Sequence, residues 1–326
     1  MKIFLGFGMK QGNKVVVCMV AVAAIGSGVA YKSGVFNQGA FDWGDEAVIK
    51  LQPASQDSLH VEYPSVYSVG SANYMLYSAY GDDHRWRIKM ATADVGDNFV
   101  KQGSIFDETK LEFAGGYAFP FVRNVVSDNG SAFEMYFSAG DTIATGYTGI
   151  YKSSSTDGFS WGAPQRLIQE SGLDPVVVSQ GGKDTLLYTV AQGEMNVIKA
   201  VELNGDGKPL QSKVAYIPQQ GIYTLGLLHW QEIPIVIVEA SDTWQPLCFA
   251  ASGELVAIPG EPILKTNLEG DTAWDRLKYG MYFSEADSKV YYNGIEGHGF
   301  EQGGQIGVAK YNPVKLFKNM DFSACR

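Results

Sequence analysis

Three acidic positions stand just ahead of strand-like runs at comparable places in this 326-residue chain: Glu62 before Tyr63-Pro64, Asp174 before Pro175, and Asp275-Arg276 before Lys278-Tyr279. Two carboxyl groups facing each other across a cleft are the machinery of glycosidic bond hydrolysis, one donating a proton and the other acting as base or nucleophile. The donor must hold its proton near neutral pH, which requires burial or a like-charged neighbour. Catalytic candidates are therefore Glu62, Asp174 and Asp275. Tyr63, Trp86, Tyr117, Phe119, Tyr223, Trp230, Trp244 and Trp274 supply rings that can stack on sugar faces. Arg87, Arg123 and His298, the last in the glycine-rich loop Gly294–Gly299, complete the expected substrate-binding set.

Other chemistries lack their residues. There is no GxGxxG in a strand–helix setting, no phosphate loop, no HExxH, no GxSxG elbow and no CxxC pair. The four histidines, His60, His84, His229 and His298, are scattered, so neither a metal nor another cofactor is expected. A formal net charge of -10 argues against nucleic acid, whose phosphates need a basic face, and more weakly against anionic membranes. Arg85, Arg87, Lys89 and Arg123 are the candidates for a local basic patch, with scattered solvated charges the plainer reading. The expected partner is a carbohydrate, and the expected state a monomer.

The elements that must position these residues are short strands. His60 to Gly103 holds four runs rich in aromatic and β-branched residues, separated by Gly, Asp, Asn and Ser: HVEYPSVYSV, NYMLYSAY, RWRIKMATA and NFVKQG. A four-stranded meander of about 45 residues is the size of a propeller blade. The unit recurs. Phe119-Pro120-Phe121-Val122 repeats Tyr63-Pro64-Ser65-Val66, and Phe137-Ser138-Ala139 repeats Tyr77-Ser78-Ala79. Asp174-Pro175-Val176 opens a third unit, IYTLGLLHW a fainter fourth, and RLKYGMYFSEA a fifth. Pro64, Pro120 and Pro175 are spaced by about 55 residues. The fold predicted is all-β, a five-bladed β-propeller of four-stranded antiparallel blades over residues 31–326. The innermost strand of each blade lines the channel of such a fold, so the blade-start residues converge there. Ala47–Leu51 is expected to close the ring by pairing with, or lying beside, Val308–Tyr311.

These motifs resemble the five-bladed propeller glycosidases of the arabinanase, levansucrase and invertase superfamily, which includes glycoside hydrolase families 43, 32, 68 and 117. The matching pieces are Tyr63-Pro64-Ser65-Val66, Tyr74–Ala79, Ile88-Lys89-Met90-Ala91-Thr92, Thr156-Asp157-Gly158-Phe159-Ser160-Trp161, Asp174-Pro175-Val176 and Gln305–Lys310. The resemblance implies an acid in each of the first three blades: an Asp base or nucleophile, an Asp modulator and a Glu acid. By position Glu62 corresponds to the first and Asp174 to the third, with the residue types exchanged, while blade two offers Phe119-Pro120 and no acid. Asp82, Asp83, Asp242, Asp275 and Glu296 are candidates to complete the set. A glycosidase and a non-catalytic carbohydrate-binding or polysaccharide-assembly propeller both fit this pattern, and a protein-interaction propeller is a third reading.

Residues 1–30 carry Lys2, Lys10 and Lys14 ahead of VVVCMVAVAAIGSGVA, with small residues at Gly28 and Ala30, the pattern of a secretory signal. The apolar run is shorter than a comfortable membrane span, so cleavage after Ala30 is expected, with an uncleaved anchor over residues 15–30 the alternative. Either way the protein is expected to be exported, to the periplasm or beyond. Two cysteines then remain, Cys248 and Cys325, which in an oxidising compartment either pair or leave Cys248 a small buried hydrophobe between Leu247 and Phe249.

Overall fold

The structure is a computed structural model that describes residues 37–107, 113, 115–127, 130–140, 147–193, 195–218, 222–240, 242–266, 274–296 and 303–325. The N-terminal segment 1–30 and His298 lie outside them, as does the side chain of Tyr223. The chain enters through a 3-10 turn at Asn37–Ala40 and a short strand, β1 (Phe41–Trp43). Blade one follows as β2 (His60–Val69), β3 (Ala72–Tyr80), β4 (Trp86–Ala93) and β5 (Val100–Ser104), and blade two as β6 (Gly116–Ser127), β7 (Gly130–Gly140), β8 (Gly149–Ser155) and β9 (Gln165–Ile168). Blade three comprises β10 (Leu173–Gln180), β11 (Lys183–Gln192), β12 (Met195–Leu203) and β13 (Pro209–Tyr216). In blade four, β14 (Ile222–Trp230), β15 (Ile233–Ala240), β16 (Thr243–Phe249) and β17 (Leu255–Ala257) pair in order, with β18 (Leu264–Lys265) also on β16. Blade five holds β19 (Leu277–Ser284), β20 (Lys289–Ile295) and β21 (Gln305–Tyr311), and β1 completes it from outside. All pairings are antiparallel, and the fold is the expected five-bladed propeller.

Each blade is sandwiched between two others, which is why runs such as Met75-Leu76-Tyr77-Ser78-Ala79 are buried continuously rather than alternately. The apolar core is accordingly divided among the blade interfaces. Leu76, Ile88, Val122 and Phe133 fill the gap between blades one and two, and Tyr136, Ile150, Leu186 and Val201 that between two and three. Val176, Ile198, Val236 and Leu247 join three to four. Trp244, Ile237, Phe283 and Tyr292 join four to five, and Ile306, Tyr291, Val61 and Met75 return from five to one. Each fully buried aliphatic side chain contributes roughly 1.5–3 kcal/mol, so no interface is dispensable.

A strand from the N-terminal side closes the ring as expected, but the paired segment is not Ala47–Leu51. The closing strand is Phe41–Trp43, with Phe41 opposite Tyr311, Asp42 opposite Lys310 and Trp43 opposite Ala309. Ala47–Leu51 lies farther along β21, where Ile49 forms a lone bridge to Ile306. The reason is aromatic packing: Phe41 stacks on Trp43 at 4.8 Å, Trp43 meets Tyr292 at 5.0 Å, and Phe41 meets Trp244 at 5.9 Å. Ala47–Leu51 has no large ring to offer. Beyond β21 the helix α1 (Pro313–Leu316), capped by the Asn312 side chain, leads the tail to blade four, where Cys325 is bonded to Cys248 of β16. The pairing alternative therefore holds.

Candidate active site

The innermost strands are bent at one recurrent place. In blade one, Glu62 pairs with Ser78 and Ser65 with Leu76, so Tyr63 and Pro64 together face one residue of β3. The same bulge recurs at Phe119-Pro120, at Asp174-Pro175 and at Gly280-Met281. Bulges bend a strand and re-aim its side chains. The first residue of each is left-handed, with φ of 54° at Tyr63, 59° at Phe119, 51° at Asp174 and 57° at Gly280. That conformation is costly for a residue with a Cβ, and it persists only where surroundings enforce it. The enforcement comes from the preceding blade. Tyr63 N–H donates to Asn293 Oδ1 of blade five (2.6 Å), Phe119 N–H to Ser78 Oγ of blade one (2.8 Å), and Gly280 N–H to Thr224 Oγ1 of blade four (3.2 Å). Glycine is needed at 280 for a second reason: a Cβ there would lie 2.1 Å from Asn293 Nδ2.

This register corrects the sequence-level alignment of the acids. Glu62 shares its position with Ala118, Leu173 and Tyr279, each of which closes the last pair before the bulge. Asp174 occupies the next position, that of Tyr63, Phe119 and Gly280. Counted from the proline that follows each left-handed residue, Glu62 stands two positions before Pro64 and Asp174 one before Pro175, so the two carboxyl groups are one residue out of phase.

Asp174 lines the channel itself, and Glu62 lies next to the channel residue Tyr63. Asp174 lines the narrow channel cavity, about 40 Å³, together with Tyr63, Phe119, Gly280 and the prolines Pro64, Pro120 and Pro175. Its Oδ2 is 3.4 Å from the Thr189 hydroxyl, while its Oδ1, though buried, meets no partner among the described residues. Burial pushes its pKa up to about 8 against a weak opposing bond from Thr189. Glu62 is also buried, and its Oε1 accepts from Tyr279 OH at 2.7 Å and lies 2.6 Å from His60 Nδ1.

A further carboxyl, Glu239, was not anticipated. It pairs with Thr224 across β14 and β15, on the second strand of its blade as Ser78, Ser138, Thr189 and Asn293 are on theirs, and like them it is buried. Its Oε2 has no partner among the described residues. Burial, then Asp242 and Asp174, hold its proton well above the usual carboxylate range. The phenols of Tyr63, Tyr147 and Tyr279 are raised likewise, by burial first and then by the acids around them: Asp174 and Glu62 act on Tyr63 and Tyr147, and Glu62 on Tyr279. The mouth is thus a set of proton-holding groups on a wall of rings. Tyr63 meets Phe119 edge-on at 4.4 Å, and Phe119 meets Tyr147 at 5.2 Å.

The structure brings Glu62, Tyr63, Phe119 and Asp174 together, with Trp86 behind Phe119 at 6.3 Å. The other candidates lie in separate surroundings. Asp275 receives Tyr292 OH at 2.5 Å and Lys278 Nζ at 3.3 Å, and Lys278 in turn sits over the Trp43 ring. Arg87 pairs with Asp83 beside it in blade one. Arg123 bridges blades two and three through Glu134 and Asp184, each at 2.7 Å. Tyr117 is buried against Phe106 and Phe113. Among the described residues no cluster of three or more His, Cys, Asp or Glu is arranged to hold a metal ion. Glu239 carried a usable signal: Val238-Glu239-Ala240 stands where other blades have Tyr77-Ser78-Ala79 and Phe137-Ser138-Ala139.

No family model matches the sequence, and no curated protein matches it. Solved structures do match its shape. An α-L-arabinofuranosidase from Podospora anserina, crystallised with cellotriose, superposes with a TM-score of 0.63 at 11% identity, covering 84% of this chain and 97% of that one. An α-L-arabinofuranosidase from Lactobacillus brevis gives 0.60 at 13% identity, covering 80% and 94%. A thermostable family-43 glycoside hydrolase gives 0.58 at 15% identity, covering 80% and 91%. The chain shares with these enzymes the complete five-bladed propeller fold.

Proposed function

We propose that this protein is an exported glycosidase-like propeller that acts on an extracellular or cell-envelope oligo- or polysaccharide at the channel mouth, with Asp174 as proton donor and Glu62 as base. The observation that carries this reading is Asp174 itself: a buried carboxyl at a strained bulge, with one oxygen unpartnered, holding its proton to about pH 8. An acid in that condition is suited to protonate a leaving glycosidic oxygen at neutral pH. Glu62, across the same ring of tyrosines, would take the proton of the attacking water. Tyr63, Phe119 and Tyr147 offer faces for the sugar. Activities of the structural neighbours, arabinofuranosidase and glycoside hydrolase, support carbohydrate as the ligand class. The N-terminal signal pattern and the Cys248–Cys325 bond support export.

A second reading, a carbohydrate-binding propeller without turnover, is favoured by Phe119 at the bulge position of blade two and by the narrowness of the channel. The test is reducing-end release from a panel of oligo- and polysaccharides, with Glu62→Gln and Asp174→Asn alongside. The first reading expects each variant to lose at least ~10²-fold in kcat with its unfolding temperature retained. Saturable sugar binding that Phe119→Ala weakens, with no turnover on any substrate, would establish the second.

A further inference from the structure

His60 has no role in the chemistry above, yet it is built into it. Its side chain is buried at the first position of β2, packed against the rings of Trp86 at 5.9 Å and Tyr80 at 6.1 Å. Nδ1 faces two groups at once: Glu62 Oε1 at 2.6 Å and the backbone N–H of Gly304 at 3.1 Å. Gly304 is held there by its own lack of a side chain, since a Cβ would lie 2.2 Å from Glu62 Oε1.

The proton count at Nδ1 is constrained by this geometry. A peptide N–H can only donate, so the Gly304 contact is a hydrogen bond only when Nδ1 is bare. A bare Nδ1 and an ionised carboxylate are both acceptors, and they would repel at 2.6 Å. The short contact therefore contains a proton, and with Gly304 favouring a bare nitrogen that proton rests toward Glu62. Tyr279 OH, which also donates to Oε1, stabilises negative charge as it develops on Glu62.

We propose that His60 and Glu62 form a proton-sharing dyad, with His60 as the positioning residue that takes the Glu62 proton. One proton moves from Oε1 to Nδ1, leaving a carboxylate and an imidazolium, and no other reactant is required. The inference deepens the reading of Glu62 as base, and it rests on that reading for its functional consequence. A glutamic acid cannot accept a proton from water, and the transfer to His60 is what makes it able to.

The experiment is nitrogen-15 and proton NMR of the histidine side chains in the intact protein without sugar, followed by kinetics of His60→Asn. The expected spectrum has one far-downfield, exchange-protected proton coupled to His60 Nδ1, which disappears in Glu62→Gln. Asn can place its amide oxygen near the Nδ1 position and so keeps an acceptor for the Gly304 N–H and the Glu62 O–H, but it cannot store a proton. On any sugar the wild type turns over, His60→Asn should lower kcat at least tenfold with KM unchanged. An Nδ1 with no shared proton, or a signal that survives Glu62→Gln, overturns the dyad. Turnover unaffected by His60→Asn overturns its use in catalysis. Absence of any turnover overturns the reading of the site instead, and the spectrum then decides the dyad alone.

Discussion

Asp174 shows how one residue ties stability to chemistry. In the unfolded chain its carboxyl titrates near 3.8, whereas in the fold burial raises it to about 8. Between those values the folded state binds the extra proton, so stability is complete at the acid end and declines as pH rises toward about 8. Asp174→Asn removes that decline. Relative to wild type, the variant should gain stability on going from about pH 4.5 to about pH 8, by a few kcal/mol, as measured by urea unfolding across the range. Parallel profiles for the two proteins would show that Asp174 is solvated and not the proton donor. Glu239, raised by the same burial, leaves part of the slope in place in the Asn variant.

At the scale of the element, the bulge and its clamp are the unit that aims the mouth residues. Three left-handed residues have their N–H received by a side chain of the preceding blade, and Ser78 holds Phe119 this way. Ser78→Ala leaves a backbone donor unsatisfied at a strained residue and should cost about 1–3 kcal/mol. Ser138 stands at the same register in blade two, but its hydroxyl has no partner among the described residues. Ser138→Ala removes a buried hydroxyl that has no partner among the described residues and should therefore be neutral to stabilising. Equal costs for the two would mean that the clamp is not what holds Phe119.

The whole molecule is a ring, and its stability depends on how the ring is shut. Noncovalent closure uses β1 on β21, continued by backbone bonds from Gly44 to Val308 and from Val48 and Ile49 to Ile306. The covalent tie runs from Cys248 in blade four to Cys325 in the tail, 77 residues apart, with α1 and Phe317 packed between them against Trp230. A loop of that length loses enough chain entropy in the unfolded state to be stabilised by roughly 4 kcal/mol. Cys325→Ser, or reduction, should lower the unfolding free energy by about that amount while the blades stay assembled. Two free thiols in the denatured, non-reduced protein would refute the bond.

The sequence by itself determined the blade count, because each blade must repeat the same local conformation and the residues that permit it are visible. The prolines that follow the left-handed residues 63, 119 and 174, the Tyr-Ser-Ala-like second strands and the Asp157-Gly158 turn all recur for local reasons of backbone and packing. The first strand of blade four has no such proline, so only the second-strand pattern Val238-Glu239-Ala240 marks the place of Glu239. Tertiary structure alone decided three things. It gave Glu62 and Asp174 different places, Glu62 in the last pair before its bulge and Asp174 at the left-handed residue of its own, because a bulge is set by which residues pair across the strands. It chose Phe41–Trp43 over Ala47–Leu51 as the closing strand, because the Trp244 and Tyr292 rings that select it lie some 200 residues away in the chain. It set His60 beside Glu62 and Gly304, a contact between blade one and the approach to β21 that no sequence spacing encodes.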